Sequence, residues 1–122
     1  MPDLFRHPQF GILIVMRERI PCVYILFNGF NGALYTGATS NLVGRIMQHR
    51  DGTFDGFTKR HNIKLLMWYE VGDTMEAVIA AEKRIQKWRR AWKMNLIERE
   101  NPNWEDLAPS LGLEPLPPTA PQ

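Results

Sequence analysis

The chain has 122 residues, of which 44% are hydrophobic and 23% charged, and its formal net charge is +2; this is material for one globular domain able to bury a core without metal or disulfide staples. Cys22 is the single cysteine, which excludes an internal disulfide and a cysteine-based zinc cluster and suits a reducing, cytoplasmic setting. The apolar run FGILIVM, residues 10–16, is too short to span a bilayer and meets Arg17, Glu18 and Arg19 at once, so no membrane association is expected.

Residues 1–19 read as an N-terminal extension, either an extra edge strand or a disordered extension. Pro21 to Phe27 follows as a buried strand, dominated by β-branched and aromatic side chains. Asn28-Gly29 and Asn31-Gly32 supply turn chemistry, because Asn and Gly accept positive φ. Ala33 to Thr36 is then the returning strand of a hairpin, ended by Gly37. Ser40 is placed to cap a helix running from Asn41 to about Arg50, which Asp51-Gly52 closes. Lys64 to Val71 reads as a third strand.

Asp73 with Glu76 resembles a capping box for the next helix. Apolar residues at Val78, Ala81, Ile85, Trp88 and Trp92 follow a helical period, and the helix continues or restarts through Asn95 to Glu98 before Pro102 ends it. Residues 101–122 carry Pro115, Pro117, Pro118 and Pro121 and are expected to form an extended tail with little to bury. The domain itself therefore covers residues 20–100. Its fold class is α+β: a small, three-stranded, mainly antiparallel sheet flanked by helices.

Several polar residues sit where chemistry is conceivable. Tyr24 and Tyr35 fall on adjacent strands, and a buried tyrosine hydroxyl needs a partner. Arg45 and His49 stand four residues apart on one flank of the first helix. Glu82 lies at the margin of the apolar stripe of the long helix, so its partly desolvated carboxylate calls for a cation, a donor or a metal. Each has a plain structural reading as well: core tyrosines, a snorkelling arginine, a histidine at a helix C-terminus, a surface ion pair.

The ordered set is more telling than its members. Val23-Tyr24-Ile25, then Tyr35-Thr36-Gly37, then Arg45, His49 and Glu82 resembles the GIY-YIG nuclease superfamily, most closely its small, single-domain bacterial members. The likeness covers about residues 20–100. It departs from the family pattern in three places: no glycine precedes Tyr24, Thr36 stands for isoleucine, and Ala38 occupies a position where some members carry lysine.

The resemblance implies a metal-dependent endonuclease hydrolysing DNA, leaving 5′-phosphate and 3′-hydroxyl ends, with a part in DNA repair or recombination. It makes Tyr24 the general base, Arg45 the holder of the scissile phosphate, and Glu82 the ligand of one magnesium ion, with manganese as a substitute. A lone carboxylate suits that hydrated ion better than zinc. Tyr35 and His49 would orient Tyr24 or the attacking water, or His49 would itself take the proton. Gly37 would let the backbone turn closely beside the site. Asn95 matches a polar position in some members and would contact the substrate or steady the site.

Lys83, Lys87, Arg90 and Lys93, with Lys59 and Arg60 in the preceding loop, then form a phosphate-tracking surface. The expected partner is nucleic acid, chiefly DNA. The chain itself is expected to be a monomer or weak homodimer, with Trp104 and the Pro-rich tail open to a protein partner. The rival reading is a nucleic-acid-binding module of the same fold that does not cleave.

Overall fold

Alternation along the first strand sorts the whole core. The computed structural model describes residues 19–29, 32–52 and 61–116. Strand β1 is Cys22–Phe27, β2 is Leu34–Thr39 and β3 is Leu65–Val71, joined in the order β2-β1-β3 with both pairings antiparallel. Cys22, Tyr24 and Leu26 point to one face of the sheet, Val23 and Ile25 to the other, as a period of two requires. Because β1 is central, both sets are buried.

Helix α1, Leu42–Asp51, covers the Tyr24 face through Leu42 and Ile46. Helices α2, Met75–Gln86, and α3, Arg90–Glu100, cover the opposite face through Val78, Ile85, Leu96 and Ile97. This is the α+β arrangement expected. The β1–β3 register slips between Ile25 and Leu26, leaving Met67 as an extra residue on β3.

Local chemistry moves several boundaries. Asn41, not Ser40, caps α1: its Oδ1 accepts from the Gly44 amide at 3.1 Å, while the Thr39 hydroxyl takes the Asn41 amide at 2.9 Å. Gly52 does end the helix, at φ 72°. Thr74, not Asp73, caps α2, its hydroxyl accepting from the Ala77 amide at 3.1 Å. β2 runs on through Gly37 to Thr39, so Gly37 lies inside a strand and does not terminate it.

The long helical pattern breaks at Lys87–Arg89 and restarts. The break turns α3 so that Leu96 and Ile97 meet the sheet and Trp92 is left 51% exposed. Its apolar period therefore does not continue as one buried stripe.

The expected extended tail is corrected furthest. From Asn101 to Leu111 the chain packs on the sheet and buries Ala108 and Leu111 completely. The Leu107 amide donates to the Leu66 carbonyl at 2.8 Å, and the Leu66 amide donates to Asp106 Oδ1 at 3.0 Å. These bonds satisfy part of the open edge of β3. Asn101 adds bonds to the Met67 and Glu105 carbonyls, and Arg50 ties Asp106 and the Glu114 carbonyl to α1. Proline content concealed a short apolar segment, Leu107, Ala108 and Leu111, that had a core to join. The FGILIVM run and the residues beyond 116 lie outside the described residues, as do Lys59 and Arg60. No helix among the described residues is long and apolar enough to cross a membrane.

Candidate active site

Why two neighbouring strands carry tyrosine is answered by register. Tyr24 pairs directly across from Gly37, and Leu26 from Tyr35, so Tyr24 has Gly37 beside it and Tyr35 on the diagonal, all on one face. A side chain at position 37 would place its Cβ 2.5 Å from both Cζ and Oη of Tyr24. The ring thus lies over the bare backbone of Gly37, filling the space a larger residue would occupy. Gly37 is needed for room and not for a turn.

That placement aims the phenol at α1. Tyr24 Oη and His49 Nε2 are 3.0 Å apart, and both side chains are fully buried. Tyr35 closes the group: its ring centre lies 6.4 Å from that of Tyr24 and 5.2 Å from that of His49, edge-on to the imidazole. A hydroxyl and an imidazole in this contact can pass one proton between them, since each is both donor and acceptor in its neutral form. Arg45 is one helical turn before His49 and half-buried, bringing a guanidinium to the flank of the same helix.

Glu82 reaches this region from the other side of the sheet. It is partly buried on α2, and Gln86 one turn later donates to Glu82 Oε2 at 2.6 Å. The same Gln86 amide donates to the Thr36 carbonyl at 3.3 Å. Glu82 is therefore moored to the edge strand at the residue next to Gly37, while Tyr24 covers Gly37 itself. Tyr24, Tyr35 and His49 are in mutual contact; Arg45 stands one turn before His49; among the described contacts, Glu82 is joined to them through Gln86 and Thr36-Gly37. Gln86 was missed in the sequence, although its i,i+4 spacing from Glu82 is the signal that would have found it.

The acidic donor at this region is a single oriented carboxylate, Glu82. Among the described residues no three His, Cys, Asp or Glu side chains cluster as a metal site. A hydrated divalent ion that keeps most of its waters takes one or two carboxylates from protein and phosphate oxygens from substrate, and one carboxylate is compatible with that pattern. Cys22 contributes nothing here: burial pushes its thiol up to about 12, so it is a neutral core residue.

Asn95 lies elsewhere. On α3 it lines a groove with Trp88, Trp92, Leu96 and Arg99. Lys83, Lys87 and Arg90 are exposed, and Lys93 is half-buried.

A three-stranded antiparallel sheet with a tyrosine over a glycine on its edge strand, and with a helix bearing arginine and another bearing glutamate, is consistent with the α+β fold of a nuclease family. The model of the GIY-YIG catalytic domain matches residues 20–95, and the chain belongs to that family, a family of nucleases acting on nucleic acid. It is 36% identical over 81 residues to a UPF0213 protein of Syntrophus aciditrophicus, covering 66% of this chain and 91% of that protein. A UPF0213 protein of Staphylococcus saprophyticus is 31% identical over 67 residues, covering 55% of this chain and 82% of the relative. No solved structure matches the chain.

One substitution probes the geometry directly. Gly37→Ala is expected to lower the melting temperature by several degrees, because overpacking costs about 1–3 kcal/mol. Tyr24 cannot swing aside cheaply: its ring is buried and its hydroxyl is held by His49. Thermal denaturation followed by circular dichroism reads the shift, and an unchanged midpoint would contradict the close approach.

Proposed function

We propose that the chain is a metal-dependent endonuclease that hydrolyses phosphodiester bonds of DNA. The observation that carries this reading is the buried Tyr24–His49 hydrogen bond over Gly37, with Arg45 one turn away and Glu82 moored to the adjacent residue of the edge strand.

In this mechanism Tyr24 passes its proton toward His49 Nε2 and takes one from a water as that water attacks phosphorus. Pairing with the imidazole is what lets a phenol, with an ordinary pKa of about 10, act near neutral pH. Arg45 holds two phosphoryl oxygens and offsets the charge that builds on them, a task suited to its planar fork. Glu82 would hold magnesium, which supplies Lewis-acid stabilisation of the phosphate and of the departing 3′-oxygen. Tyr35 packs edge-on against His49 and keeps its ring aligned. The products are a 5′-phosphate and a 3′-hydroxyl. A role in DNA repair or recombination is proposed on the family likeness alone.

A second reading, a binding module that does not cleave, draws on the complete burial of Tyr24 and His49. A panel of labelled linear, nicked and branched DNAs and single-stranded RNAs, incubated with magnesium, manganese or EDTA, separates the two. Metal-dependent product with a 5′-phosphate end is the expected result. Tight binding without product under every condition would establish the second reading instead.

A further inference from the structure

The groove on α3 has no part in the chemistry above. Its walls are Trp88 and Trp92, whose ring centres lie 6.2 Å apart at an interplanar angle of 78°, with Leu96 at its base and Asn95 and Arg99 at its rim. Its volume is about 420 Å³, within the ~300–1,000 Å³ typical of small-ligand sites. Trp92 is 51% exposed although the two residues at the centre of the same helix, Leu96 and Ile97, are buried. Beside the second indole of Trp88, this exposed ring offers a surface that the flat face of a ligand can cover.

Charge around the groove says what that something is. Between residues 83 and 99 the chain carries Lys83, Arg84, Lys87, Arg89, Arg90, Lys93 and Arg99 against Glu98 alone. Glu98 is already occupied, accepting from Trp104 Nε1 at 3.0 Å. Arg89 sits 5.6 Å from the centre of the Trp92 ring, so the aromatic is steadied by a cation that can also meet a phosphate. Lys93 holds its proton less firmly than an ordinary lysine, through partial burial and the nearby Arg90 charge. An anion placed between those two cations relieves the repulsion.

Resting on the nucleic-acid reading of the active site, we infer that the Trp88–Trp92 groove is a stacking site for an unpaired nucleotide flanking the bond that is cut. The base stacks against indole while Arg89, Lys93 and Arg99 hold its phosphates. Stacking on aromatic rings within a cationic groove is how unpaired strands are gripped without regard to sequence. The position is suitable. Trp88 follows Glu82 by six residues, just past the end of α2 at Gln86, so the groove begins on the segment that leaves the helix bearing Glu82. The site would therefore direct the enzyme to substrates with single-stranded character, such as flaps, gaps and branch points. Asn95, at the groove's rim, gives a base edge a hydrogen-bond partner.

The test is binding by the full chain in EDTA, where no cleavage occurs, read by fluorescence anisotropy with a labelled single-stranded oligonucleotide and a blunt duplex. Trp92→Ala is expected to weaken single-strand binding about 5- to 100-fold, the range for losing one stacked base, and to leave duplex binding within about twofold. Trp92→Phe restores most of the affinity because a π-face remains. Arg99→Gln weakens both ligands and flattens the salt dependence. Equal effects of Trp92→Ala on the two ligands, or none on either, would overturn the inference. So would a dimer, seen by sedimentation, that Trp92→Ala dissociates without altering single-strand affinity, since a second copy would then be what covers the groove. Failure of the nuclease reading looks different: single-strand binding through Trp92 persists, yet magnesium yields no product.

Discussion

Replacing Glu82 with glutamine is expected to remove magnesium-dependent cleavage while leaving the melting transition where it is. The carboxylate is the only acidic group that α2 moors to the Thr36-Gly37 segment among the described contacts. Glutamine keeps the side chain's length and an oxygen that can still accept from Gln86, but it loses the negative charge that draws a hard cation. The rate should fall by at least the roughly 10²- to 10³-fold that one lost transition-state stabiliser costs. Stability should move by no more than about 0.5 kcal/mol, because Glu82 is only partly buried and α2 is anchored by Val78 and Ile85. Gel-based cleavage and thermal denaturation on the same preparation make the comparison. If activity and the folding transition were lost together, Glu82 would be a structural residue; if both survived, the proposed metal site would be wrong.

Arg45→Ala carries the second large effect. Cleavage should fall by about 10²- to 10³-fold, since no other guanidinium shares the flank of α1 with His49 one turn away except Arg50, which is committed to Asp106 and the Glu114 carbonyl. DNA binding should weaken modestly, and its dependence on salt should flatten by about one phosphate contact. Arg45→Lys should recover binding better than it recovers cleavage. An ammonium preserves the charge but cannot present two parallel donors to phosphoryl oxygens. Single-turnover kinetics and a salt titration of affinity measure the two effects separately. A lysine variant as fast as the wild type would show that Arg45 acts only as a point charge.

Much of this architecture was readable in advance. The β-branched and aromatic run from Pro21 to Phe27 named a buried strand, and the Asn-Gly pairs after Phe27 named the hairpin. Errors clustered where neighbouring residues compete for one local role. Ser40 and Asn41 are both good caps; Thr39 decides between them by taking the Asn41 amide. Asp73 and Thr74 compete in the same way, and only one hydroxyl or carboxylate can meet the Ala77 amide. The tail was misread because composition reports the average of a segment, whereas packing depends on whether Leu107, Ala108 and Leu111 find an exposed strand edge.

Site residues followed a similar division. Tyr24, Tyr35, Arg45, His49 and Glu82 were marked by type and order along the chain, which a resemblance between sequences preserves. Contact between Tyr24 and His49 was not, because the two are separated by a hairpin, an edge strand and most of a helix.

What the sequence determined by itself was local: strand positions, turn positions, helix periods and the order of the polar residues, each governed by side chains within a few positions of one another. Tertiary structure alone decided that Gly37 makes room for the Tyr24 ring, that Gln86 ties Glu82 to the edge strand, and that Trp92 is left facing solvent. Those outcomes depend on strand register and on the angle at which α3 leaves α2, and both are set by the packing of distant apolar surfaces against one sheet.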